Sequence, residues 1–281
     1  YTVGDGQDYQ DLKSLYDSGA LQSGDTVILY NDDSSLAGQV FAVSGVPIKS
    51  AGEAGKIIYQ GQSNAVNGGI LNLDPAVNSL KLDNITFKDA SAGNVTYINT
   101  GRGGAIYSAT TGSLDMKGSE AVSFVSNTAV GQSASSSGQG GAIYSKNGLS
   151  MAQSRDVLFQ GNRALGGDSK TASANSLASA RGGAVYGGSG TVDFSGSGNV
   201  AFVDNLAQGG VATEAGGTGQ AGYGGAIYTD NSFLAVGSQS MFCNSNLAAG
   251  GDTSGSAGAT HSGYGGAVYA KSIDMQGAED I

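Results

Sequence analysis

The sequence predicts an all-β chain folded as a parallel β-helix, with about three short strands per coil and a helical cap in front. Three observations carry this. The pentad Gly-Gly-Ala-Ile/Val-Tyr occurs five times, at 103–107, 140–144, 182–186, 224–228 and 265–269, in steps of 37, 42, 42 and 41 residues. So even a period marks stacked repeats. A Phe-x-x-Asn element alternates with it, pairing Phe124 with Asn127, Phe159 with Asn162 and Phe202 with Asn205. The fourth copy runs from Phe242 to Asn246, one residue longer, which predicts a small bulge. Between the two motifs lies a short strand whose apolar residues alternate: Leu114 and Met116, Leu149 and Met151, Val192 and Phe194, Leu234 and Val236, Ile273 and Met275. Alternation of this kind buries one face of a strand.

Residues 1–24 read as a cap. Asp8 is placed to start a short helix with Tyr9, Leu12, Leu15 and Tyr16 on one side and Gly19 at its end. A stacked array needs its first apolar face covered, and an amphipathic helix does so. Residues 25–100 read as degenerate coils, with strands over 26–30, 40–43, 57–59, 70–73 and 80–87. Gly68-Gly69-Ile70-Leu71 is a worn pentad, 35 residues before the first full copy. The last of these strands alternates except for a slip at Asn84, and Ala90 stands where the Asn of Phe-x-x-Asn is expected. Residues 101–281 carry the full repeats. Their remaining stretches, 128–139, 163–181, 206–223 and 247–264, are rich in Gly, Ser, Ala and Thr and fall at one corner. They are expected to project as loops from one edge, where repeat proteins often place their working surface.

Paired glycines suit a bend where adjacent coils approach closely or φ turns positive. Period-two alternation fixes one phase for the whole pentad series. We expect Ile or Val inward as a ladder, with Tyr107, Tyr144, Tyr186, Tyr228 and Tyr269 stacked outside as candidate ligand-contacting residues; the opposite phase is the alternative. Asn127, Asn162, Asn205 and Asn246 are expected to form a structural ladder, because Asn at a bend bonds local backbone and stacked copies bond one another.

Composition narrows the function. Gly is 49 of 281 residues and Pro 2, yet 39% of residues are hydrophobic, too many for a disordered chain. The net charge of −10 and the lack of basic runs argue against nucleic acid as a partner. The lone Cys243 permits no internal disulfide and reads as a small buried hydrophobe. No apolar run is long enough for a membrane helix and no basic-plus-apolar leader is seen in the sequence, so the expectation is either a soluble cytosolic chain or a mature or excised piece of something exported. Residues 272–275 open a repeat that does not finish, so the chain reads as a piece of a longer exported array.

No catalytic residue, metal or cofactor is expected. Asp32-Asp33 is the one pair of adjacent aspartates, and neighbours on a strand face opposite ways; it reads as a turn. Asp115, Asp193 and Asp274 recur outward on the second strand, a sparse stripe broken by Ser150 and Ala235. His261 has no second His or nearby Cys to build on. Arg102 and Arg181 each precede a pentad where Gln139, Tyr223 and Tyr264 stand elsewhere, which fits a coil edge.

Repeated Gly-Gly-Ala-Ile/Val alternating with Phe-x-x-Asn, over about 68–281, resembles the polymorphic membrane proteins of chlamydiae and related bacterial autotransporters. The opening, Val3-Gly4-Asp5-Gly6 to 25–29, also resembles the entry coil of pectate-lyase-like β-helices. The resemblance implies a right-handed β-helix passenger at the bacterial surface, or secreted, exported through an outer-membrane barrel elsewhere in the same protein. It implies adhesion to a host-cell surface protein or glycan. Two departures stand out: one cysteine where chlamydial members have more, and long Gly/Ala/Ser-rich inserts. The alternatives are a passive structural stalk or shield, and a carbohydrate-active β-helix lyase or hydrolase.

Overall fold

Each coil of this chain closes by stacking on the next, so the architecture is best followed through one turn. In the computed structural model, which describes residues 1–60, 68–92, 101–132, 136–168, 179–212, 219–251 and 262–279, the first full coil contains five short strands. They are Gly101–Arg102, Ile106–Ser108, Leu114–Asp115, Glu120–Val125 and Thr128–Val130. Each pairs in parallel with its counterpart one repeat later, for example Ile106 with Ile143, Leu114 with Leu149 and Phe124 with Phe159. The result is five parallel stacks of 10, 7, 5, 5 and 4 strands, a parallel β-helix. Three of the strands are those expected. The other two lie at the ends of stretches expected to be loops. Alternation does not reveal them, because their inward residues are Gly and Ala.

The pentad explains itself atom by atom. Gly103 has φ +63°, the left-handed region. A Cβ on Gly104 would stand 1.9 Å from the Gly141 carbonyl oxygen of the next coil and 2.6 Å from the Thr128 nitrogen. The first glycine thus turns the chain and the second lets two coils touch backbone to backbone. Ala105 and Ile106 follow, both fully buried. The worn copy behaves alike: Leu71 pairs with Ile106, and Ile70 and Leu71 are fully buried.

The core inside the coils is a set of ladders. Phe87, Phe124, Phe159 and Phe202 stack at 5.3, 4.9 and 4.9 Å with rings within 7° of parallel, and Phe194 meets Phe159 and Phe202 edge-on. Offset aromatic pairs of this kind contribute about 0.5–1.5 kcal/mol each beyond area burial. The slip at Asn84 has a backbone cause. Asn84, and Ala121 and Asp156 above it, adopt φ of +55°, +48° and +52°, and the next residues, Ile85, Val122 and Val157, return to the core.

Four local expectations are corrected. The helix is Leu12–Asp17 and its cap is Asp11, whose side chain accepts from the Ser14 amide. Asp8 instead accepts from the Thr2 amide and hydroxyl, which hold its carboxyl below the usual range. Leu12 and Leu15 are buried, with Tyr9 and Tyr16 packed beside them. In the fourth repeat the inward pair of the second strand is Phe233 and Ala235, not Leu234 and Val236: Phe233 pairs with Val192, and Val236 is exposed. The predicted bulge before Asn246 is absent, because Cys243, not Phe242, pairs with Phe202, so the spacing to Asn246 is kept. Cys243 is exposed rather than buried; its strand, Ser240–Asn244, is the last of its stack, so no further described strand covers it.

Candidate functional site

At the bend before each Asn, the preceding residue is left-handed: Ser126, Gly161, Asp204 and Ser245 have φ of +56°, +64°, +55° and +53°. The asparagines then stack. The backbone N–H and Nδ2 of Asn127 both donate to Asn162 Oδ1 at 3.0 Å, and Nδ2 also donates to the Phe87 carbonyl at 3.1 Å. Asn162 repeats this on Asn205 Oδ1 and the Phe124 carbonyl, and Asn205 on Asn246 Oδ1 and the Phe159 carbonyl. Asn127, Asn162 and Asn205 are fully buried. Every polar atom of each amide is thus occupied by the fold.

The inserts leave at this bend. The stack running from Thr128–Val130 through Arg163–Leu165 to Leu206–Gln208 packs against the stack of Gly101–Arg102, Gly138–Gln139, Ala180–Arg181 and Gly222–Tyr223. A Cβ on Gly138 would lie 2.4 Å from the Ala129 carbonyl oxygen, and on Gly222 2.2 Å from that of Ala207. Ordinary sheets sit about 10 Å apart with side chains between them; here backbone touches backbone. Ala164, Ala180 and Ala207 form a small core of their own, apart from the main one. We call this two-layer structure the fin. It gives the small-residue composition of the inserts a packing reason.

The fin has two outer faces. On one, Val130, Leu165 and Gln208 are in register over three coils. With Gln132, Asp168 and Val211 they border a trough of about 490 Å³. The other face turns Arg102, Gln139, Arg181 and Tyr223 toward the pentad tyrosines. Tyr107, Tyr144, Tyr186, Tyr228 and Tyr269 lie outside the coil and stack in one run at 5.1, 4.9, 5.3 and 5.2 Å. Ile143, Val185 and Ile227 point inward and are fully buried.

The ladder is outside the coil yet largely covered. Tyr144, Tyr186 and Tyr228 are only 7%, 8% and 6% exposed, whereas Tyr269 at the end of the run is 37% exposed. Arg102 lies over the Tyr144 ring and Arg181 over the Tyr228 ring, each 5.4 Å from the centroid, and Tyr223 meets Tyr228 edge-on. Burial pushes the Tyr144 phenol up to about 12, with Arg102 opposing. Burial also raises Tyr186 and Tyr228, and for Tyr228 the hydrogen bond donated to Asp230 at 2.6 Å adds to it. The flat faces of the inner rings are occupied by one another, so they offer no open platform to a sugar. What remains on offer at this corner is hydroxyls and guanidiniums. The arginines, read from sequence only as coil-edge residues, are the part that sequence reasoning missed. Their one signal was their recurrence directly before a pentad.

The acidic residues are tied to the backbone. Asp115, Asp193 and Asp274 each accept the N–H two residues on; the positions between them in register are Ser150 and Leu234. Asp32 accepts from the Ile57 amide, and Asp33 from those of Leu12 and Ser35. His261 lies outside the described residues.

The stacked coils and the fin define a repeat solenoid of the parallel β-helix class. Residues 121–146 match the Chlamydia polymorphic membrane protein repeat. The matched segment runs from the Phe124 to Asn127 element through the pentad at 140–144, so it holds both motifs in order. The match supports the resemblance and the coarse class, a surface-associated bacterial passenger. No curated protein and no solved structure matches the chain. Among the described residues no helix is long and apolar enough to cross a membrane.

Proposed function

We propose that this chain is a non-catalytic surface adhesin, the passenger of an autotransporter, that attaches to a protein or glycan of a host-cell surface through its fin. The barrel through which it is exported belongs, on this reading, to the same protein. One observation carries the reading: the described ends of the inserts from successive coils stack into a two-layer structure, with a three-coil trough bordered by Val130, Leu165 and Gln208. A passive stalk has no need of a second core built beside the first. The polymorphic membrane protein repeat supports the surface setting.

The test is attachment of the purified, fluorescently labelled chain to cultured epithelial cells, beside a Val130→Lys/Leu165→Lys variant. Both side chains face outward and are partly exposed, so the coil stays folded, as far-UV circular dichroism will report. Attachment lost in the variant supports the proposal. Attachment by neither protein favours the stalk.

A further inference from the structure

The corner between the fin and the tyrosine ladder holds two cations that form no ion pair among the described residues, with Asp230 nearby as the one opposing charge that acts on the same phenols. Ion pairs among the described residues are Lys13 with Asp17, Lys88 with Asp89, and Arg155 with Glu120. Neither Arg102 nor Arg181 takes part, although both are partly buried and the chain carries a net charge of −10. Arg102 donates through Nε to Gln139 Oε1 at 3.2 Å. The Nε of Arg181 is buried and has no hydrogen-bond partner. A cation–π contact offsets part of the cost of such desolvation, but it leaves guanidinium donors unused.

The spacing is informative. Each arginine leans one coil forward, Arg102 onto Tyr144 and Arg181 onto Tyr228. The two guanidiniums therefore sit two coils apart, about 9–10 Å from the strand spacing, with Tyr186 midway between them. The Tyr186 hydroxyl accepts from the Arg181 guanidinium and lies in the field of Arg102 and of Asp230, its own O–H left to donate. An oxyanion at that midpoint would have a guanidinium on either side and a phenol donor beneath.

We infer that this corner, the notch we define by Arg102, Gln139, Arg181 and Tyr186, binds at its surface the carboxylate or sulfate group of an acidic sugar. Guanidinium forks match the geometry of either anion. A sugar is favoured over a phosphorylated peptide by what flanks the notch. Tyr223 and Tyr264, one and two coils beyond Arg181, stack on each other at 5.1 Å, and Tyr264 is 45% exposed, giving an aromatic surface for the apolar face of a further pyranose of the same glycan. The Gln139 amide suits ring hydroxyls. Asp230, held by the Tyr228 hydroxyl, is the opposing charge of the corner and weakens anion binding. The notch is argued from its own residues and stands whether or not the fin attaches to cells.

The experiment is titration of the purified chain with sialyllactose, lactose, sodium sulfate and a phosphoserine peptide, read by calorimetry and by tyrosine fluorescence. The chain has 13 Tyr and no Trp, so the emission reports on tyrosines alone. The wild type is expected to bind sialyllactose at least tenfold more tightly than lactose, with competition by sulfate. Arg102→Gln and Arg181→Gln are each expected to lose about tenfold, Arg181→Lys less, and Asp230→Asn to gain. Equal binding of sialyllactose and lactose overturns the proposal, as does preference for the phosphopeptide. So does unchanged binding in Arg102→Gln and Asp230→Asn, which keep the test open should Arg181→Gln fail to fold.

Discussion

At the scale of single residues, the fold is most exacting where it has no side chain at all. The second pentad glycine faces the next coil's carbonyl, and the first turns the chain at positive φ, so the pair is required twice over. A Cβ on Gly141 would lie 2.0 Å from the Gly183 carbonyl oxygen and 2.5 Å from the Arg163 nitrogen. Both are backbone atoms, held by parallel ladders on either side, and cannot rotate away. Gly112 has open space around it and no positive φ. We expect Gly141→Ala to cost about 3 kcal/mol or more, beyond the usual range for overpacking. Gly112→Ala should be neutral or stabilising by up to about 1 kcal/mol through the unfolded state. Chemical denaturation of the two variants checks this, and a Gly141→Ala midpoint equal to that of Gly112→Ala would refute the contact argument. The sequence made the repetition of these glycines plain. It could not say which of the pair turned the chain and which touched the neighbour, because that depends on the approach of a coil about 40 residues away.

At the scale of elements, the tyrosine ladder and the fin show where reading from sequence stopped. Strands that alternate large apolar with polar residues were legible, because their period is their packing. Fin strands such as Thr128–Val130 and Gly138–Gln139 alternate only Gly or Ala with everything else, and that pattern is shared with loops. Likewise, Phe233 and Leu234 are both apolar, and only pairing with Val192 shows which faces inward. The outward phase of the tyrosines was the preferred of two; their cover by Arg102, Arg181 and Tyr223 was not legible, since those residues sit on two-residue strands directly before each pentad. That cover has a consequence in alkali. Phenols raised by burial stay protonated in the folded chain while those of the unfolded chain ionise near pH 10. Their contribution to stability is therefore complete below about pH 10 and is lost as pH rises toward 12, the range to which Tyr144 is pushed. Thermal melts from pH 8 to 11.5 should show Tm falling above pH 10. The fall should be shallower in Tyr144→Phe, which keeps the ring stack and has no proton to lose. An identical pH profile in the variant would remove the ladder as its cause.

At the scale of the whole molecule, stability is distributed along one axis. Each coil contacts its neighbours through the five stacks, so the free energy is close to a sum of coil and interface contributions. Interior coils have two interfaces and end coils one. The two ends also differ. At the first, Leu12 and Leu15 of the helix lie fully buried against the core with Val27 and Leu29. At the last, Phe242, Leu247 and Ile273 are 53%, 55% and 54% exposed, and Asn246 donates to the Phe202 carbonyl behind it with no described Asn stacked ahead. Hydrogen exchange should follow this asymmetry. Amides of Val157, Phe159, Val200 and Phe202, between coils on both sides, are expected to exchange slowest. Those of Val27 and Leu29 should come close behind because the helix stands in for a coil, and those of Ser272–Asp274 should exchange fastest by several orders of magnitude. Mass spectrometry of peptides after timed labelling resolves the three regions. Uniform protection from 27 to 274 would mean that the solenoid opens as one cooperative unit and that the coil-by-coil account is wrong. Fast exchange at Val27–Leu29 would mean that the helix does not serve as a cap.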